Sequence, residues 1–497
     1  MPQTPYEQLE IRFRRIGLLG DAEAVLHWDW AAVMPPAGAQ ARSAQLAELK
    51  AVGHGLLTAP EVGDLIAAAE AEDGLDDWRQ ANLRHMRRLW TKATVIPEDL
   101  VVAFSQACSE CETTWREARP SGDFAAVKPS LQTVLDLTIE AGQAKAQALG
   151  LDLYDALLDD YEPGGRSADI DRLFEPLVAF LPSLLAEAEE AQAARPDPTL
   201  PDGPFAIDKQ KALGEKLMKI AGFQFDNGRL DTSLHPFCGG TPDDVRITTR
   251  YDEEDFTSSL MGVLHETGHA LYEQGLPAKW RNQPVGGSIG MSMHESQSLL
   301  MEMQVCRSRP FIEFVAPLMR DAFGGKGPAW EPDNLYRLYT QVERDFIRVE
   351  ADEVTYPAHV ILRYRLEKAL LDGDMDLSEL PGAWNDGMQE LLGITPPSDR
   401  EGCLQDLHWY DGAWGYFPTY TMGAMTAAQL FAAACASDPA IEAGIAGGDF
   451  TPLLTWLGTH VHGKGSLQTT ANVISDATGR ALDPGVFEQH LRERYTS

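Results

Sequence analysis

Apolar positions in the first two hundred residues recur at helical spacing. Ala-, Leu- and Glu-rich segments with a 3.6-residue rhythm lie around 5–16, 40–72, 76–91, 97–119, 123–149 and 167–194. Strand-like alternation is scarce there. From Arg195 to Pro204 the rhythm stops at Pro196, Pro198, Pro201 and Pro204, which reads as a surface linker. A helical run resumes over 208–220, so the chain divides softly into an N-terminal helical region, 1–204, and a second region, 205–497. One stretch alternates cleanly. In Asp244–Tyr251, Val245, Ile247, Thr249 and Tyr251 share one face, and Asp244, Arg246, Thr248 and Arg250 share the other. Turn residues Gly239, Gly240, Pro242 and Asp243 precede it, so a small sheet is expected, with 235–238 as partner strand. As an edge strand it would pair with an extended substrate, with Arg246 as a substrate contact. The plainer reading has Arg246 and Arg250 answering their acidic neighbours.

The helical pattern after that strand carries chemistry. Val263 to Leu271 reads Val-Leu-His265-Glu266-Thr-Gly-His269-Ala-Leu. Two histidines four residues apart leave a helix on the same face, close enough to reach one metal ion. Glu266 lies beside His265 on the wheel, placed to face a water without becoming a ligand. Zinc lowers the pKa of such a water towards about 7, where a neighbouring carboxylate can take its proton. The flanks agree with a helix. Asp252, Glu253, Glu254 and Asp255 put negative charge at its start, and Gly275 with Pro277 stops it. Catalytic zinc wants a third protein ligand. A histidine six residues past His269 is excluded, because Gly275 stands there. The next helical segment opens Ser292-Met-His294-Glu295-Ser-Gln297 and is expected to run to about Arg309, stopping at Pro310. Glu295 is the first choice, with Glu302 and His294 as rivals. Its plain alternative is a capping box, since Ser292-x-x-Glu295 fits that pattern.

Composition narrows the partners. Hydrophobic residues make up 44 % of 497, enough for a sizeable core, and 41 basic against 75 acidic residues leave −34. Such a balance argues against nucleic acid or an anionic membrane as a partner. The first seventeen residues lack the apolar stretch of a secretory signal, and no run of about 18 apolar residues suits a membrane span. Cys108 and Cys111 form a C-x-x-C within a helical pattern, with no second pair nearby, and read as packed thiols. The six cysteines fit a cytoplasmic protein.

Together, His265-Glu266-x-x-His269 and His294-Glu295-Ser296-Gln297 resemble the carboxypeptidase Taq family of metallocarboxypeptidases. Three more motifs of that family follow its order: Asp244-x-Arg246-x-Thr248, Ile347-Arg348-x-x-Ala351-Asp352, and Gly402-x-x-Gln405-Asp406-x-His408-Trp409. The resemblance implies His265, His269 and Glu295 as ligands of Zn2+, with Co2+ as a substitute, and Glu266 as general base. It points to Arg348, positioned by Asp352, as the residue that grips the free C-terminal carboxylate of a peptide. Guanidinium geometry suits that task. By analogy with related His-Glu-x-x-His peptidases, His408 and Tyr420 are candidates for steadying the oxyanion. The implied fold is mainly α and two-lobed, with a deep groove, residues 1–204 as one wall, and a small sheet beside the His-Glu-x-x-His helix. A homodimer is also implied. The expected activity is release of single C-terminal residues from peptides. An internally cutting oligopeptidase shares the metal machinery. A helical binding protein with a structural metal is disfavoured by Glu266, since a closed site needs no base.

Overall fold

Thr4 and Glu7 cap the first helix reciprocally, side chain to backbone in both directions, which fixes where it starts. That helix, α1 (Pro5–Ala32), is about twice as long as its apolar rhythm predicts. The expected 40–72 run is two helices, Ala39–Leu57 and Pro60–Glu70, because Pro60 forces Ala59 into extended geometry. The structure is a computed structural model and describes residues 3–496. Further helices at Asp77–Val95, Glu98–Ala118, Phe124–Leu149 and Ser167–Ala193 follow the remaining predicted segments closely. Cys108 and Cys111 sit on the Glu98–Ala118 helix as free thiols.

The small sheet has three strands, β1 (Gly228–Thr232), β2 (Phe237–Thr241) and β3 (Asp244–Thr249), in the order β1-β3-β2. β2 pairs with β3 antiparallel across a turn at Pro242 and Asp243, but it lies at 237–241 and not at 235–238. Gly239 and Gly240, expected in the turn, are strand residues paired with Arg246 and Val245, and β1 pairs with β3 in parallel. The alternating strand is therefore central and not an edge, and Val245, Ile247, Thr248 and Thr249 are all buried. Its backbone groups are taken on both sides, so β3 cannot accept an extended substrate. β1 escapes a pattern search because its five residues hold a single aliphatic side chain, Leu230.

Five more helices place the site: α2 (Phe256–Gly275), α3 (Met291–Leu299), α4 (Tyr356–Asp372), α5 (Pro418–Ser437) and α6 (Pro484–Tyr495). After α3 the chain widens into a π-helix, Leu300–Cys306. Pro310 does not stop a helix here. It opens the next one, Arg309–Phe323, at a position where its missing N–H costs nothing. The main apolar core spans the proline-rich stretch: Leu184 and Leu185 before it share one buried cluster with Leu213 and Leu217 after it. Tyr6, Leu9, Phe13, Ile66 and Met86 build a separate, smaller cluster in the first helices. Among the described residues no helix is long and apolar enough to cross a membrane.

Candidate active site

Helix α2 begins where expected. Asp255 caps it, accepting from the Thr257 amide at 2.8 Å and hydroxyl at 2.6 Å. His265 and His269 leave the same face, with ring centroids 5.0 Å apart. Helix α3 crosses against this face at unusually close range, because Gly268 has no side chain. A Cβ there would collide with the Gln297 carbonyl oxygen. Gly423 on α5 does the same on the far side of α3, where a Cβ would stand 2.9 Å from Glu295 Cβ. Two glycines thus let three helices converge around one carboxylate.

The ligating atoms of His265, His269 and Glu295 all lie within 4.8 Å of one another. Glu295 Oε2 is 3.4 Å from His269 Nε2 and 3.9 Å from His265 Nε2. The capping-box reading of Glu295 fails. No side chain caps α3 from Ser292; instead the Ser292 amide and hydroxyl donate to Glu162, at 3.1 and 2.5 Å. Met291 N reaches the Tyr161 carbonyl at 2.8 Å. A carboxylate from another segment satisfies the helix start more strongly than a local hydroxyl, which leaves Glu295 to face the histidines.

Both rivals of Glu295 are held by other partners. Glu302, delivered by the π-helix, accepts from His265 Nδ1 at 2.9 Å and from Arg307 Nη2 at 2.6 Å. It orients His265 from behind. His294 has both ring nitrogens engaged, one on Glu273 at 2.9 Å and one on His269 Nδ1 at 2.7 Å. The electrostatics favour a cation at the convergence point. Burial disfavours charge on His265, yet Glu302, Glu295 and Glu266 outweigh it and push the group up to about 10. Glu266 is buried, its Oε2 has no hydrogen-bond partner among the described residues, and burial with Glu295 nearby pushes it up to about 7. Two imidazoles and one carboxylate with an adjacent unpaired carboxylate oxygen fit a catalytic divalent metal, the His2Glu donor set suited to zinc.

Arg348 lies in a second corner, and its partner differs from the one expected. Its Nε and Nη2 both donate to Asp406 Oδ1, at 3.0 and 2.7 Å, and Nη1 stands 3.5 Å from the Tyr356 hydroxyl. Asp352 does not pair with it. The segment after Arg348 is a single 3-10 turn, Arg348–Glu350, so the helical i,i+4 geometry is absent. Asp352 accepts instead from the amides of Glu343, Val354 and Thr355, at 3.0, 2.8 and 3.1 Å, and fastens the loop that carries Arg348. Arg363 of α4, fully buried, donates through Nε to the other oxygen of Asp406 at 2.6 Å. Burial alone would raise the Asp406 pKa; Arg348 and Arg363 hold it far below the carboxylate range.

His408 Nε2 is 3.0 Å from the Tyr420 hydroxyl, and the Arg348 guanidinium lies 4.8 Å from the Tyr420 ring centroid. Burial, then Arg348, lowers His408 to about 4, so it is neutral at physiological pH. Burial raises Tyr420 to about 12. Tyr420 sits one turn before Gly423 on α5, so that helix joins the arginine corner to Glu295. Arg246 follows the plainer reading: Nε and Nη2 rest on Asp244 at 2.9 and 2.6 Å, and its guanidinium covers Trp28 of α1, 4.2 Å from the ring centroid.

Four residues of the site had no role from sequence: Glu162, Glu273, Tyr356 and Arg363. Only Glu273 left a local signal, standing four residues beyond His269 on the same helical face.

Comparison with known proteins gives one consistent result. The profile of the carboxypeptidase Taq (M32) metallopeptidases matches residues 8–495. The chain is 37 % identical to thermostable carboxypeptidase 1 of Thermus thermophilus, covering 100 % of this chain and 99 % of that one. It is 34 % identical to carboxypeptidase 1 of Bacillus subtilis, over 97 % of this chain and 96 % of the relative. Among solved structures, it resembles Trypanosoma cruzi metallocarboxypeptidase 1 with a TM-score of 0.97 at 40 % identity, covering 99 % of each chain. The M32 carboxypeptidase of Deinococcus radiodurans R1 gives 0.93 at 36 %, again over 99 % of each. The fold is accordingly mainly α and two-lobed.

Proposed function

The chain belongs to the carboxypeptidase Taq (M32) metallopeptidases and is a metallocarboxypeptidase, and on that premise we propose that it releases single C-terminal residues with zinc held by His265, His269 and Glu295 and Glu266 as general base. When bound, such an ion is a Lewis acid that acidifies water and stabilises negative charge developing on the scissile carbonyl; cobalt is an able substitute. Glu266 Oε2, unpaired and set near 7 by its surroundings, takes a proton from the attacking water and returns it to the leaving amine. Tyr420, hydrogen-bonded to neutral His408, offers its hydroxyl to the carbonyl oxygen as that atom gains charge. Gly268 and Gly423 keep the supporting helices too close for slack, so the groups are held before substrate arrives.

The observation that carries the exopeptidase reading is the charge of the second corner. Two buried guanidiniums, Arg348 and Arg363, share one carboxylate, Asp406. That leaves one positive charge unmatched beside Tyr420, and Arg348 Nη1 has only a long contact to the Tyr356 hydroxyl. A peptide's free C-terminal carboxylate supplies the missing negative charge and the acceptor oxygens. Asp352 acts at one remove by fixing the Arg348 loop.

A mass-spectrometric time course on one peptide and its C-terminally amidated twin tests this, with zinc present and after chelation. We expect a ladder losing single C-terminal residues, abolished both by the amide and by chelation. Internal fragments from both peptides would favour an oligopeptidase instead.

A further inference from the structure

His294 stands between Glu273 and His269, and the three form a line of hydrogen bonds ending at the proposed metal position. Glu273 Oε1 is 2.9 Å from His294 Nε2. His294 Nδ1 is 2.7 Å from His269 Nδ1, and the His294 carbonyl oxygen is 3.0 Å from that same nitrogen. His269 Nε2 then points at Glu295. We infer that Glu273, acting through His294, fixes the tautomer of His269 so that its Nε2 presents a lone pair to the metal; this rests on the metal reading above.

A neutral imidazole carries one N–H, and the other nitrogen is an acceptor. At 2.7 Å the two facing Nδ1 atoms can share only one proton. If His294 owns it, His269 must hold its own proton on Nε2, where it blocks ligation. If His269 owns it, His294 must carry its proton on Nε2. Glu273 decides between the two. A carboxylate only accepts, so His294 Nε2 must be the N–H that meets it, which leaves His294 Nδ1 bare. His269 Nδ1 then carries its proton towards both His294 Nδ1 and the His294 carbonyl, and its Nε2 is free. The carbonyl alone favours the same tautomer; Glu273 removes the competing N–H that would oppose it.

His265 is oriented directly by Glu302. His269 reaches its carboxylate only through a second imidazole. Glu273, His269 and His265 are spaced four apart along α2, so one helical face carries both ligands and the residue that controls one of them. Such supporting partners change metal affinity by about 10- to 100-fold when removed.

The test compares wild type, Glu273→Gln and Glu273→Leu. Zinc affinity is read by chelator competition, and histidine tautomers in the metal-free protein by 15N chemical shifts. In Glu273→Gln the amide still presents a carbonyl oxygen to His294 Nε2–H, so zinc affinity should stay within about threefold of wild type. The leucine of Glu273→Leu cannot accept that proton. Zinc should then bind about 10- to 100-fold more weakly, while a cooperative melting transition shows that the metal-free variant is still folded. In wild type the Nδ1–H form of His269 and the Nε2–H form of His294 should be seen. Equal zinc affinity in wild type and Glu273→Leu, or an Nδ1–H form of His294, overturns the inference while leaving the metal site standing. Failure of wild type to bind zinc overturns the metal reading itself.

Discussion

The metal corner and the arginine corner share helix α5, yet they are suited to charges of opposite sign. Around His265, His269 and Glu295, three potential ligand atoms converge with Glu266 and Glu302 close by, an arrangement that favours a cation. Around Arg348 and Arg363 a single Asp406 answers two guanidiniums, an arrangement that favours an anion. Glu353 supplies the contrast. It is equally buried, but Gln304, His490, Arg494 and Tyr495 surround it at 2.7, 2.9, 3.1 and 2.9 Å, and nothing is left to bind. Burial of charge is common to all three clusters. What separates a site from a strut is whether the partners already present complete it.

Breaking the cationic half of this picture should cost the most. Glu266→Gln keeps shape and ligands but cannot take a proton, so kcat should fall by about 10²–10⁴-fold with zinc stoichiometry unchanged by elemental analysis. Normal turnover in that variant would remove Glu266 from the chemistry. The anionic half is sharpened by Arg348→Ala. Here kcat/KM for free-acid peptides should drop by about 10²-fold or more, and the preference over amidated peptides should collapse towards unity. A variant that keeps the preference would mean another group reads the chain end. The smallest effect concerns Glu367, a buried carboxyl that should be neutral at low pH and is assigned to neither corner. It accepts from Trp409 Nε1 and Tyr154 Oη at 2.9 and 2.8 Å, yet burial raises it from 4.5 to about 7. The folded state therefore holds a proton that the unfolded chain releases first. Stability is full below the ordinary value and declines as pH rises through this window, levelling off above about 7. Glu367→Gln should flatten that decline, by about 1–3 kcal/mol between pH ~5 and ~8, in thermal unfolding curves. Parallel curves for the two proteins would count against a proton held there.

How much of this was readable beforehand depends on sequence distance. His265, Glu266 and His269 lie on one turn of helix, and their geometry follows from helical spacing alone. Glu295 needed the family resemblance, because its local pattern also spelled a cap; only the structure shows Glu162 doing that job from 130 residues away. Arg348 likewise rests on the resemblance, but the motif suggests its neighbour Asp352 as the residue that positions it. Its partner Asp406 is 58 residues distant. β3 was legible as a strand through its alternation, yet its central position was not, because β1 has too few apolar residues to announce itself. Periodicity reports which face a residue occupies; it carries no information about what arrives on that face from afar.

Glu162 does more than hold one helix start. Ser292 donates to one of its oxygens and Thr470 to the other, so a residue ahead of the proline-rich stretch knots together two segments that follow it. A gene split at that stretch would yield one fragment with an unanswered buried carboxylate and another whose α3 start has lost its acceptor. Neither piece should be a useful module alone. Produced together, they should find each other and regain metal binding in step with reassembly.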